Sequence, residues 1–231
     1  MKRNFTSLIK QFLSNTMKYK SISFSFLFFG VLFSLWNCGV KKIEPQQFEG
    51  KFVYQLSGRM IDANAADSSN FQVVYAKDSL VRVENFTKLG KQIYIKHIPR
   101  NRAYILMDLG GKKVAVQTIP EPSPNDGKYV FNSKRKRKKI AGRKAQRVDV
   151  TLPTYDTIIP MYYLPEISPS YTEAIPGIAG LPALYTIFSN DEFVDYKLIY
   201  FEEKPIHKDY FGIPSDHEIM SLEEFIEHFN D

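Results

Sequence analysis

The chain has 231 residues, with 31 Lys and Arg against 25 Asp and Glu. Five of those cations (Lys2, Arg3, Lys10, Lys18 and Lys20) fall in residues 1–37, which hold no acid, so the remainder carries 26 cations against 25 acids and is nearly neutral. That balance removes the electrostatic case for nucleic-acid binding, and a single cysteine, Cys38, excludes any internal disulfide. Stability must come from burial, to which 14 Tyr and 18 Phe contribute.

The N-terminus reads as an export signal. A cationic segment precedes the sixteen-residue apolar run Ser21–Trp36. The run is shorter than the ~20 residues that span a bilayer, and a cleaved signal over residues 1–37 fits it better. Met17-Lys18-Tyr19-Lys20 would open a compact signal by itself, so the start is Met1 or Met17. Leu35-Trp36-Asn37-Cys38 resembles the bacterial lipobox, with Leu at −3 and Cys at +1. Trp36 and Asn37 stand where the strict pattern has smaller residues. The resemblance implies acylation, including palmitate, on Cys38, a lipidated tether over residues 38–47, and a membrane as partner. Stable anchoring takes about two acyl chains, which a diacylated or triacylated cysteine supplies. The alternative is a secreted chain with an incidental cysteine.

From Phe48 the pattern changes to short alternating segments. Phe52, Tyr54 and Leu56 alternate within Phe48–Met60, and residues 62–70 form a polar loop. Phe71, Val73 and Tyr75 share one face, and Lys77-Asp78-Ser79 turns into Leu80–Phe86. Ile93, Ile95 and His97 face one way on the next strand, with Tyr94, Lys96 and Ile98 on the other side. Pro99–Arg102 turns into Ala103–Leu109, and Gly110-Gly111 is a hairpin signal before Val114 and Val116. Tyr104–Met107 is apolar on both faces, so such a sheet must be covered on both sides or enclose something.

Residues 119–127 are Pro-rich. The six consecutive cations Lys134–Lys139 admit a nuclear signal, a nucleic-acid patch, contact with anionic lipid, or a solvated hairpin rim between Tyr129–Phe131 and Ala145–Leu152. The last is preferred. Further strands are predicted at Arg143–Leu152, Ile158–Leu164, Leu181–Ser189 and Phe193–Phe201, with a long loop over Ile167–Gly180. Ser221 and Glu224 form a capping box opening a helix expected to bury Leu222, Phe225, Ile226 and Phe229. The expected fold is mainly β (α+β), a single domain over residues 48–231. It would be one curled antiparallel sheet or half-barrel with a few covering helices and a short C-terminal helix.

No catalytic or cofactor motif is present. His97, His207, His217 and His228 lack zinc-site spacing, and Asp216-His217-Glu218 reads as a surface turn. Asn190-Asp191-Glu192 with Asp195 lacks the glycine and spacing of a calcium loop. Asn85-Phe86-Thr87 is a chance glycosylation sequon in such a chain. No enzyme, metal or cofactor is expected.

Three segments resemble a known family. Ile140-Ala141-Gly142-Arg143-Lys144-Ala145, Tyr162-Tyr163-Leu164-Pro165-Glu166-Ile167 and Gly180-Leu181-Pro182-Ala183-Leu184-Tyr185 are similar to segments of the GLPGLI-type exported proteins, with Ala183 and Tyr185 departing from the signature Gly and Ile. The first strand, Phe48-Glu49-Gly50-Lys51-Phe52, is similar to that of a related exported family of unknown function. The resemblance implies a half-barrel like that of periplasmic lipoprotein carriers and their receptors, with helices on its concave side and an apolar cavity for acyl chains. It supplies no catalytic residues.

The resulting expectation is a non-enzymatic, lipid-anchored protein of the bacterial envelope, on the outer membrane facing the periplasm or the surface. It would bind a lipid or acyl group, with Phe52, Tyr54, Val73, Tyr75, Ile93, Ile95, Ile105 and Met107 as lining residues. These residues also suit a dry, filled core. The alternatives are a module that docks another envelope protein through Ile167–Gly180, and an unrecognised hydrolase.

Overall fold

The computed structural model describes residues 47–58, 70–87, 90–119, 129–152, 157–172, 174–189 and 192–229. The expected export signal, Cys38 and most of the expected tether lie outside them. Twelve strands form one open, curled sheet. In chain order they are β1 (Glu49–Ser57), β2 (Phe71–Lys77), β3 (Leu80–Thr87), β4 (Gly90–His97), β5 (Arg102–Leu109), β6 (Lys112–Thr118), β7 (Val130–Ile140), β8 (Arg143–Leu152), β9 (Thr157–Leu164), β10 (Leu181–Ser189), β11 (Glu192–Glu203) and β12 (Glu218–Ser221), followed by helix α1 (Leu222–Phe229). The spatial order is β12-β6-β5-β4-β3-β2-β1-β11-β10-β9-β8-β7. Among the described residues no helix is long and apolar enough to cross a membrane.

Two-residue turns set the meander. Gly110 and Gly111 have φ of 66° and 97°, and Ala141 and Gly142 have 46° and 80°. These left-handed pairs match the twist of the strands they join. The sheet is mixed rather than wholly antiparallel, because β12 pairs parallel to β6. After β11 the chain crosses one face of the sheet and meets the far edge running with β6.

Both faces are apolar, and both are covered. Cross-strand register puts Phe52, Val74, Val83 and Tyr94 on one face and Val53, Val73, Glu84 and Ile93 on the other. The first face is concave. It carries the main core of Phe52, Tyr54, Val74, Val148, Val150, Met161, Leu164 and Leu198. Its cover is the segment 165–180, which brings in Ile167, Tyr171, Ile175 and Ile178. That cover is loop with one short 3-10 turn at Pro169–Tyr171, where helices were expected. Gly180 ends the loop where a Cβ would fall on the Leu164 carbonyl, so only glycine lets it close on β9.

The convex face is covered by the crossing segment 204–213. Ile206 and Phe211 pack on Ile95, Leu106 and Ala115. Polar ties hold the segment down. Glu49 accepts from Lys77 Nζ at 2.5 Å and from the Ile206 N–H at 2.7 Å. Further along, Arg82 Nη1 donates to the Tyr210 carbonyl at 3.0 Å and its guanidinium lies 4.3 Å from the Tyr210 ring centre. Arg82 Nε and Lys91 Nζ reach the Glu84 carboxylate at 2.9 and 2.8 Å, and Tyr210 Oη donates to it at 3.1 Å. Burial alone would raise the Glu84 carboxyl, but hydrogen bonds from Lys91 and Arg82 outweigh it and hold the group below its ordinary value.

The two sheet edges differ. The cations Lys134–Lys139 are largely solvated, as expected, on the β7–β8 hairpin, and they continue strand β7 itself. β7 is a terminal strand, and charge on an edge strand repels a second chain that would otherwise pair with it. Lys139 even faces Lys144 directly across the ladder, a repulsive pair. At the other edge the capping box forms as expected: the Ser221 N–H donates to Glu224 Oε2 at 2.7 Å and the Glu224 N–H to Ser221 Oγ at 3.1 Å. The helix buries less than its sequence pattern implies. Phe225 packs on Val114, Val116 and Met220, but Leu222 and Ile226 are 45% and 48% exposed. An eight-residue helix at a sheet edge has only that edge to lie on.

Two outcomes follow. Glu84→Gln strands the buried Arg82 guanidinium and should lower unfolding free energy in urea by about 3 kcal/mol at neutral pH. Because the carboxyl is depressed, its contribution is complete above the unfolded carboxylate range and lost as pH falls through the folded value; the variant should lose that part of the acid-side slope. Replacing Arg135, Lys136 and Arg137 together with Thr should leave the fold intact and produce concentration-dependent self-association, visible by light scattering.

Candidate functional site

The concave face holds a pocket of about 280 Å³ between the two wings of the sheet. One wing contributes Gln72 and Val74 from β2, Val81, Val83 and Asn85 from β3, and Tyr94 and Lys96 from β4. The other contributes Tyr185, Ile187 and Tyr196 from β10 and β11, and the loop adds Ser170, Tyr171, Thr172 and Ala174. The pocket exists because the sheet curls across β1 and the loop does not fill the space between the wings.

Register orders the lining. Gln72 lies opposite Asn85, Val83 between Val74 and Tyr94, and Val81 opposite Lys96. Each row is two residues from the next, so the polar rows are ~13 Å apart along the strands with an aliphatic and aromatic stretch between them. Gln72 Nε2 donates to Asn85 Oδ1 at 3.0 Å, closing one end. At the other, desolvation lowers the Lys96 ammonium from its ordinary value. Burial likewise pushes the Tyr94 and Tyr185 hydroxyls up.

Aromatic rings make the second wall. Tyr185 and Tyr196 stack at 4.8 Å with 11° between their planes, and Tyr54 meets Tyr185 edge-on at 5.5 Å. Tyr54 Oη donates to the Pro182 carbonyl at 2.5 Å, which anchors β10 behind the wall. The loop is tied at Tyr171, whose hydroxyl accepts from the Phe48 N–H at 2.8 Å and donates to the Asp78 carbonyl at 2.9 Å. Beside it, Thr172 Oγ1 is a buried oxygen with no hydrogen-bond partner in the pocket wall.

None of the eight lining residues expected from sequence lines this pocket. Phe52 and Tyr54 are on the same face but buried in the core beneath it. Ile105 and Met107 share that face further along the sheet, Met107 packing with Val114, Val116 and Met220. Val73, Tyr75, Ile93 and Ile95 point to the convex face, where Tyr75, Ile93 and Ile95 pack in the cluster of Ile206 and Phe211. The alternation on β2 and β4 holds, but the face it picked out lies away from this pocket. A usable signal was present: Gln72, Asn85 and Lys96 are polar residues at the ends of aliphatic rows.

The remaining candidates are ordinary surface features or lie elsewhere. Asp216 takes Lys113 at 2.7 Å and His217 at 2.9 Å, and the Lys113 hydrogen bond leads in holding its carboxyl down at about 2. With Lys112 on Glu218 at 3.3 Å, this turn docks β12 on β6. His207 pairs with Asp209 in the open. Among the described residues no group of three metal-ligating side chains comes together. The loop Ile167–Gly180 turns Ile167, Tyr171, Ile175 and Ile178 into the core, so it serves first as a cover. Cys38 lies outside the described residues.

No protein-family model matches this sequence, and comparison with curated proteins finds no match. Among solved structures the chain is similar to that of PNGF-II, at 9% identity with a TM-score of 0.40, covering 74% of this chain and 30% of that one. The chain thus spans under a third of the length of that protein, and a likeness this loose carries no argument about function.

Proposed function

We propose that this chain is a non-enzymatic lipoprotein of the bacterial cell envelope whose curled sheet acts as a half-barrel binding a single apolar chain. The observation that carries the reading is the concave pocket, aliphatic and aromatic in its middle and polar at its ends. Its about 280 Å³ corresponds to roughly nine water volumes at ~30 Å³ each, and a chain methylene is close to a water molecule in size. One acyl chain of on the order of ten carbons fits, at ~0.8 kcal/mol gained per methylene buried. Two or three chains of an acylated cysteine do not fit together.

The N-terminal residues support the envelope location: the cationic segment, the short apolar run and Cys38 directly after Asn37. Acylation of Cys38 would hold the domain at the membrane through the tether, on the outer membrane facing the periplasm or the surface. In this reading the protein holds or passes on an apolar molecule and performs no chemistry on it.

Two measurements test the halves separately. Cys38→Ser should move the protein from the membrane fraction to the soluble fraction and remove the acyl mass from the mature chain; unchanged fractionation and mass would refute the anchor. Organic extraction of the purified protein followed by mass spectrometry should release one medium-length acyl compound. Val83→Trp, which fills the pocket, should cut binding of a fluorescent fatty-acid probe at least tenfold while leaving the thermal midpoint within a few degrees. A probe that binds both forms equally would place the ligand elsewhere.

A further inference from the structure

The convex face has a second pocket, of about 260 Å³, where the crossing segment leaves the sheet partly open. Its floor is apolar: Ile95 and Tyr104 come from neighbouring strands, and Phe211 and Ile213 come from the crossing segment. Its rim is cationic. His97 and Arg102 stand opposite each other at the end of the β4–β5 ladder. Arg100, in the 3-10 turn between those strands, lines the same pocket, and Asn101 at φ 44° turns the chain between the two arginines.

Two observations point the same way. No Asp or Glu lines the pocket. Neither arginine has an ion-pair partner among the described residues. Two guanidinium groups at one end of an apolar slot match a planar or tetrahedral oxyanion, which arginine holds through paired hydrogen bonds.

We propose that this pocket binds an anion-headed amphiphile: a phosphate or carboxylate head between Arg100 and Arg102, with a short apolar body over Ile95, Tyr104 and Phe211. The site is on the opposite face from the concave pocket, and Lys96 borders both. Apolar area on the floor and charge on the rim are both used, so neither a free inorganic anion nor a neutral alcohol satisfies it.

Calorimetric titration of the purified protein with hexyl phosphate, hexanoate, inorganic phosphate and hexanol tests this. The tighter of hexyl phosphate and hexanoate should bind at least tenfold more strongly than inorganic phosphate, with hexanol showing no saturable heat; their ranking identifies the head group. Arg100→Gln, at an exposed turn, and Arg102→Gln should each weaken that ligand at least tenfold with an unchanged thermal midpoint. Val83→Trp should leave the affinity unchanged. Equal affinity for inorganic phosphate and hexyl phosphate, full binding by Arg100→Gln, or loss of binding in Val83→Trp would each overturn the proposal. If Arg102→Gln fails to fold, Arg100→Gln decides alone.

Discussion

A sheet that is apolar on both faces cannot stand in water, and that constraint organises this molecule. Each face is covered by chain that is not strand: the segment 165–180 on the concave side and 204–213 on the convex side. Each cover is fixed by a few buried polar contacts rather than by regular structure. Tyr171 links the first to Phe48 and Asp78, and Glu49, Arg82 and Glu84 hold the second. Irregular cover fills space less completely than a helix laid along the strands, and the pocket on each side lies beside it.

Of the segments that make the sequence resemble exported families, Ile140–Ala145 forms the β7–β8 hairpin, and the others share one structural task. Gly50 runs so close to β11 that a Cβ would strike the Glu202 carbonyl, and Phe48 and Phe52 flank it against Phe201. Leu164, Ile167, Gly180, Leu181 and Pro182 meet where the loop leaves β9 and returns as β10: the Leu181 N–H donates to the Ile167 carbonyl, and Leu181 registers with Leu164. These short motifs are closure points between the sheet and its concave cover, and Tyr185, at the end of the last, also lines the pocket.

Much of the fold was legible from alternation and turn chemistry. Gly110-Gly111 marked a hairpin, strands such as Arg143–Leu152 and Leu181–Ser189 were read at their observed bounds, and Ser221 with Glu224 marked a helix start. What was not legible depends on the third dimension. Alternation shows that a strand has two faces, but where both are apolar, as in Tyr104–Met107, it does not say which is concave; the lining residues were therefore assigned to the wrong side on β2 and β4. The six cations read as a solvated hairpin rim because charge usually marks solvent, and they are largely exposed, but their place in an edge strand follows only from the strand order. The parallel entry of β12 depends on a crossing whose path no local pattern encodes.

The position of β1 bears on how the protein can be made. It is the first strand after the tether, yet it sits inside the sheet, and one of its neighbours is β11, the last long strand. Gly50 pairs with Glu203, so the central ladder joins residues about as far apart as the domain allows. A ribosome delivering the chain from its N-terminus releases β1 long before that partner exists. Closing so distant a contact is slow because the intervening chain must first be ordered. The central ladder, and with it the concave core, forms only once nearly the whole chain has emerged, which leaves the polypeptide threadable through a narrow channel for most of its synthesis.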